Sequence, residues 1–157
     1  MDKKNTMLYP LTKPLVELDL QFFAHPSYGT YDAKLVTVIV GGVEITGFAE
    51  GTFVISKKVA DAVKEHVSPQ GDVAFAIVNN SLGEIKITLN QTSPAIPYLN
   101  EIATTNKIVP VWVHSDNQVK EKSGGTYGMI KVQPEAGYSG EITSREYVFF
   151  IADYTLS

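Results

Sequence analysis

Side chains that can hold a metal, activate water or attack a carbonyl are scarce in this sequence. The three histidines, His25, His66 and His114, fall in separate regions without metal-ligand spacing and read as surface or interface residues. There is no cysteine, which excludes disulfides, thiolate nucleophiles and cysteine-based zinc or iron–sulfur sites. A Ser–His–acid triad can converge from distant positions, but the chain has no G-x-S-x-G elbow to strain a nucleophile. Gly41-Gly42 and Gly124-Gly125 lack both the G-x-G-x-x-G and the G-x-x-x-x-G-K-[ST] pattern, so they read as turns and not as phosphate cradles. Glu44, Glu50, Glu84, Glu141 and Glu146 lie on or beside predicted strands. Two of them facing each other would have the makings of a glycosidase acid/base pair, whereas carboxylates on the polar side of alternating strands are usually just solvated. Trp112 sits in the apolar run Ile108-Val109-Pro110-Val111-Trp112-Val113, where it serves either as packing or as a sugar-stacking platform.

The elements that would carry these groups fit one domain of 157 residues, 44% hydrophobic and 19% charged, a composition that argues against wholesale disorder. Thirteen basic against seventeen acidic residues give a net charge of −4, without the basic excess of a protein that clamps phosphates. The longest apolar run, Leu35 to Val43, is far shorter than the roughly 20 residues needed to span a bilayer. Met1-Asp2-Lys3-Lys4 begins like a signal peptide, but Pro10, Lys13, Pro14, Glu17 and Asp19 interrupt any apolar h-region. The expectation is a soluble protein made in the cytoplasm.

Residues 1–31 read as an N-terminal arm, broken by Pro10, Pro14 and Pro26 yet sticky at Leu18 to Ala24, where Leu20, Phe22 and Phe23 lie. Such a segment either packs on its own domain or frays, or it reaches a neighbouring subunit. Residues 32–157 read as a β domain. Ala33 to Val40 and Val43 to Ala49 form a hairpin about Gly41-Gly42, and Thr52 to Ser56 adds a third strand. Lys57 to Val67 is ambiguous, because Val59, Val63 and Val67 recur at four-residue spacing; a short helix or a protruding excursion closed by Ser68-Pro69-Gln70-Gly71 would both satisfy it. Asp72 to Val78 is a strand. Glu84 to Gln91 alternates, with Ile85, Ile87 and Leu89 on one face and Glu84, Lys86, Thr88 and Asn90 on the other. Ser93-Pro94 predicts a helix start, Ser93 as N-cap and Pro94 at N1, with Tyr98, Leu99, Ile102 and Ala103 as the apolar stripe and Asn106 as the stop. Strand follows from Ile108 to Ser115, then a polar loop Asp116 to Gly125, then strands near Tyr127 to Val132 and Ile142 to Tyr154. The fold class is mainly β: an antiparallel β-sandwich or partly open barrel with one α-helix.

Three passages, in this order, resemble a known family. They are Val38 to Phe53 (VIVGGVEITGFAEGTF), Gln70-Gly71-Asp72-Val73, and Gly83 to Pro94 (GEIKITLNQTSP). Together they resemble the bacteriophage tail tube proteins of contractile tails and, more distantly, the tube proteins of phage-like bacteriocins and type VI secretion. The likeness spans roughly residues 32–155 and departs at the front, where Leu20-Gln21-Phe22-Phe23-Ala24 looks like the arms of phage capsid-type proteins.

That resemblance implies a non-enzymatic virion subunit, synthesised in the host bacterial cytoplasm and placed in the tail. It implies stacked hexameric rings in which strands of neighbouring subunits join into one large inner barrel. Partners would be copies of itself and the sheath, baseplate and tail terminator proteins. DNA would pass without specific binding, with no membrane insertion and no cofactor or metal. Under this reading Glu44, Thr46, Glu84, Lys86 and Thr88 are lumen-facing candidates. Leu20, Phe22, Phe23, Val59, Val63 and Val67 are candidates for contacts between subunits or rings. The rival classes are a monomeric β-sandwich that binds carbohydrate or acts as an adhesin, and a β-rich hydrolase.

Overall fold

The computed structural model describes residues 29–157. The arm candidates Leu20, Phe22 and Phe23, and His25, lie outside the described residues. Asp32 opens the described chain by accepting a hydrogen bond from the Lys34 N–H (2.9 Å), which caps a 3₁₀ turn at Ala33–Leu35. The predicted first strand is therefore shorter at its front. Ten strands follow: β1 (Val36–Val40), β2 (Val43–Ile45), β3 (Val54–Lys58), β4 (Val63–Val67), β5 (Val73–Ile77), β6 (Gly83–Asn90), β7 (Val109–Ser115), β8 (Glu121–Val132), β9 (Ser144–Ile151) and β10 (Thr155–Leu156). The one α-helix among the described residues, α1 (Ile96–Thr105), stands between β6 and β7.

Eight strands form one antiparallel sheet in the order β2-β1-β7-β8-β9-β6-β3, with β10 against β8, and β4 and β5 form a separate two-stranded hairpin. Strict alternation drives the folding of the sheet. Along β6, Ile85, Ile87 and Leu89 are fully buried while Glu84, Lys86 and Thr88 stay partly exposed. The inner faces of β1, β7 and β9 add Val38, Val40, Val111, Tyr147, Phe149 and Ile151 to the same core. Burying side chains of this size contributes about 1.5–3 kcal/mol each, so this row dominates the stability of the domain.

The sheet curls around that core but does not close. Past Ile45 the chain leaves β2 and makes one isolated bridge, Phe48 with Leu89 of β6, with the Asn90 N–H donating to the Gly47 carbonyl (2.9 Å). A seam of this kind is a partly open barrel.

The helix begins two residues later than Ser93-Pro94 predicts. Its N-cap is Ala95, with no side-chain cap bond, and Pro97 occupies the first turn. The buried Ser93 hydroxyl is engaged elsewhere: it donates to the Thr46 carbonyl and accepts from the Ala95 N–H (3.3 Å), so it ties β2's exit to the turn before the helix. The predicted stop holds, since Asn106 adopts the left-handed conformation (φ 50°) and its N–H donates to the Ile102 carbonyl. Ile96, Leu99, Ile102 and Ala103 form the buried face, and the Tyr98 hydroxyl donates to the Val40 carbonyl (3.1 Å).

The polar loop is also shorter than predicted, because β8 already starts at Glu121. Lys122 stands opposite His114 and Gly124 opposite Trp112. Gly124, at φ +138°, permits this closeness, since a Cβ there would strike the Val111 carbonyl.

Candidate functional site

Three surfaces remain after the core is filled: the outward face of the sheet, its two unpaired edges, and the β4–β5 hairpin.

The outward face of β3, β6, β8 and β9 is a strip of paired charges. Lys57 lies 3.1 Å and Lys131 3.6 Å from the two carboxylate oxygens of Glu84, and Lys86 lies 2.6 Å from Glu146. The hydrogen bond and charge of Lys57, with Lys131 behind them, outweigh partial burial and hold the Glu84 carboxyl below its ordinary range. A glycosidase acid needs the opposite shift, so Glu84 is a poor proton donor at neutral pH. Glu84, Lys86 and Thr88 belong to this strip. Glu44 and Thr46 do not: Glu44 stands on β2 opposite Ile39, at the other end of the sheet order, and Thr46 follows it in the exposed exit of that strand. The structure thus divides the five lumen-facing candidates into two groups.

His66 and His114 stay apart, on the hairpin and on β7, and the described residues contain no cluster of three or more histidines or carboxylates able to hold a metal. One face of the Trp112 ring is covered by the Lys122 ammonium, 4.3 Å from its centre. Among the described residues no helix is long and apolar enough to cross a membrane.

The two edges are β2 and β3, which end the strand order and, among the described residues, pair on one side only. The Thr88 N–H donates to the Phe53 carbonyl and the Val59 N–H to the Leu82 carbonyl. Antiparallel alternation therefore turns the backbone groups of Val54, Ser56 and Lys58 outward, free for another strand.

The hairpin grows directly out of the β3/β6 ladder. Its register is Val63 to Ile77, Glu65 to Phe75 and Val67 to Val73, with Lys64 opposite Ala76 and His66 opposite Ala74. Opposed residues share a face, so one side carries Val63, Val67, Val73, Phe75 and Ile77 around Glu65, and the other carries Lys64, His66, Ala74 and Ala76. All ten residues are exposed, Phe75 at 72% and Ile77 at 78%. The turn is held by the Ser68 N–H donating to the Asp72 carbonyl (2.8 Å) and the Asp72 N–H donating to the Ser68 hydroxyl (3.1 Å).

Of the two expectations for Lys57 to Val67, the protruding excursion is the one observed. Val63 and Val67 lie on its apolar face, and Val59 is exposed at its neck. Val73, Phe75 and Ile77 share that face, although sequence reasoning assigned them to an ordinary strand. The signal was present in the large–small alternation Val73-Ala74-Phe75-Ala76-Ile77, which mirrors Val63, Glu65 and Val67 across a five-residue turn.

No protein-family model matches the sequence, and no curated protein matches it significantly. Solved structures do share the fold. A chain in the cryo-EM structure of an extracellular contractile injection system, the PVC sheath/tube terminator in its extended state, aligns over 82% of this chain and 96% of its own, with TM-score 0.57 and 10% identity. A chain in the cryo-EM structure of the anti-feeding prophage cap, the AFP tube terminating cap, aligns over 82% and 91%, with TM-score 0.56 and 9% identity. A chain of the extended PVC sheath–tube complex aligns over 84% and 93%, with TM-score 0.56 and 10% identity. At this identity the likeness is one of fold.

Proposed function

We propose that this protein is a non-enzymatic structural subunit of a contractile tail or injection device, assembling with copies of itself into rings that stack as the tail tube. The observation that carries the reading is a sheet whose edges β2 and β3 have no second partner among the described residues, beside an exposed apolar hairpin face, in a fold shared with chains of such assemblies. An isolated molecule would have to protect both features from aggregation, whereas a ring uses them.

In the ring, β3 of one copy joins β2 of the next, and the sheets merge into an inner barrel. The strip of Glu84, Lys86 and Thr88 then faces the bore. Its three lysines are matched by two glutamates, Glu84 and Glu146, so few free cations remain to hold a passing polyanion. Sheath, baseplate and terminator proteins would bind the outside and the ends. A second reading, the terminator that closes such a tube, is favoured by two of the three similar structures, a tube terminating cap and a sheath/tube terminator. Negative-stain microscopy of the purified full chain separates them. Tubes of many rings support the tube subunit, single rings support the terminator, and a protein that stays monomeric even with a baseplate present overturns both.

A further inference from the structure

Arg145 is the one arginine in the sequence; the other basic residues in its charge balance are lysines. It lies on β9 in the inward-facing alternation that Tyr147, Phe149 and Ile151 continue, all three fully buried, and it stands opposite the fully buried Leu89. A charge on the core-facing side of a strand needs a partner, because burial removes the water that would otherwise solvate it.

The partners within the chain do not meet that need. The guanidinium Nη2 donates to the Tyr138 hydroxyl (3.2 Å), and the Tyr138 ring lies 5.6 Å from the guanidinium carbon. The neighbouring inward hydroxyl, that of Tyr147, is spent on the Asn100 Oδ1 (2.8 Å). The Arg145 Nε–H is buried without an acceptor, and among the described residues Arg145 makes no ion pair. The carboxylates of the outward strip, by contrast, each have a lysine.

What covers Arg145 can be moved. Tyr138 belongs to residues 133–143, the connection from β8 to β9, which contains no strand or helix. That connection is tied down near its end, where the Thr143 hydroxyl donates to the Gln91 Oε1 (2.9 Å), whereas Tyr138 itself is 77% exposed. Swinging Tyr138 away breaks one hydrogen bond to a neutral phenol and leaves the β8–β9 ladder intact.

The Nε–H and one Nη–H of a guanidinium form a fork that grips both oxygens of a planar oxyanion. In Arg145 half of that fork is idle and the other half holds a neutral group. A single guanidinium balances a single negative charge, and the covering segment carries Glu135 and Glu141, which disfavours a doubly charged phosphate.

We infer that Arg145, beneath Tyr138 at the inward end of β9, is a receptor for one polypeptide carboxylate, which takes the Nε and Nη2 donors and displaces the Tyr138 hydroxyl. The carboxylate comes either from another protein or from Asp2, Glu17 or Asp19 of this chain. The site does not depend on ring formation, so its failure and that of the proposed function are separate events. Because the sequence holds one arginine, the full chain made with isotope-labelled arginine gives one Nε–H signal in nuclear magnetic resonance, recorded in solution or, for assembled protein, in the solid state. Sodium acetate is the probe, with sodium chloride and inorganic phosphate as contrasts at constant ionic strength. A carboxylate from another protein predicts a signal that acetate moves to saturation, that chloride leaves in place, and that phosphate moves about tenfold more weakly. A carboxylate from this chain predicts a signal indifferent to acetate until Asp2→Asn, Glu17→Gln and Asp19→Asn are made together, after which it shifts and responds to acetate. A signal that ignores acetate both before and after those substitutions, or that phosphate moves as readily as acetate, overturns the receptor.

Discussion

Among single residues, two carboxylates are held ionised by their surroundings, and both make stability depend on pH. Asp153 is pushed up by burial, but the backbone N–H groups of Tyr127 and Thr126 donate to it at 2.9–3.0 Å and the balance lies below its ordinary value. Glu84 is lowered by Lys57. A group whose folded pKa is depressed contributes stability above its unfolded pKa, and that contribution fades as pH falls through the folded value. Thermal melts of the full chain should therefore decline below the ordinary carboxylate range, and Asp153→Asn should flatten that decline. At neutral pH, Asp153→Asn should lose about 1–2 kcal/mol, because its oxygens anchor the backbone of β8 at Thr126 and Tyr127. Glu84→Gln should cost under about 1 kcal/mol, since its lysine partners are largely exposed. Denaturant unfolding of each variant measures both. Neither interaction was visible in the sequence: Asp153 lies far along the chain from Thr126 and Tyr127, and Glu84 stood out as a carboxylate on the polar face of a strand but without its partners Lys57 and Lys131.

For the strands and the helix, legibility follows how far the signal is local. Gly41-Gly42, both at positive φ (59° and 85°), and the alternation of β6 are local, and the structure bears them out. The valines at 59, 63 and 67 were ambiguous for a definite reason: residues four apart share a face on a helix and also on a strand. Only pairing with Val73–Ile77 decides between them, and pairing is not local. The helix start slipped because Ser93 found a distant acceptor, the Thr46 carbonyl, which no capping rule anticipates. The early start of β8 depends on the fit of Gly124 against β7. Gly124→Val should accordingly lower stability by about 2–4 kcal/mol, through strain at φ +138° and the blocked approach to Val111, as read by chemical denaturation. The hairpin is different, since all ten of its strand residues are exposed. Phe75→Asp should leave the melting transition within about 0.5 kcal/mol of the parent while reducing assembly, a separation that melts and sedimentation together reveal.

For the molecule as a whole, the fold class was legible, whereas the state of its edges was not, because no pattern within a strand says whether its far side is paired. The free edge of β3 is where the proposed ring can be broken without unfolding the subunit. Lys58 is exposed at the end of that strand and its N–H turns away from β6, so proline there removes an outward donor and leaves the internal ladder intact. Lys58→Pro should keep the cooperative unfolding of the domain and suppress rings in electron micrographs. Were β3 merely the border of a self-sufficient monomer, the same substitution would change neither. Rings forming as readily as from the parent chain would show that neighbouring copies are joined elsewhere, and the merged inner barrel would have to be abandoned. Edge and hairpin are thus separable by experiment: Lys58→Pro tests the β3 edge of the proposed ring, and Phe75→Asp tests the exposed hairpin face.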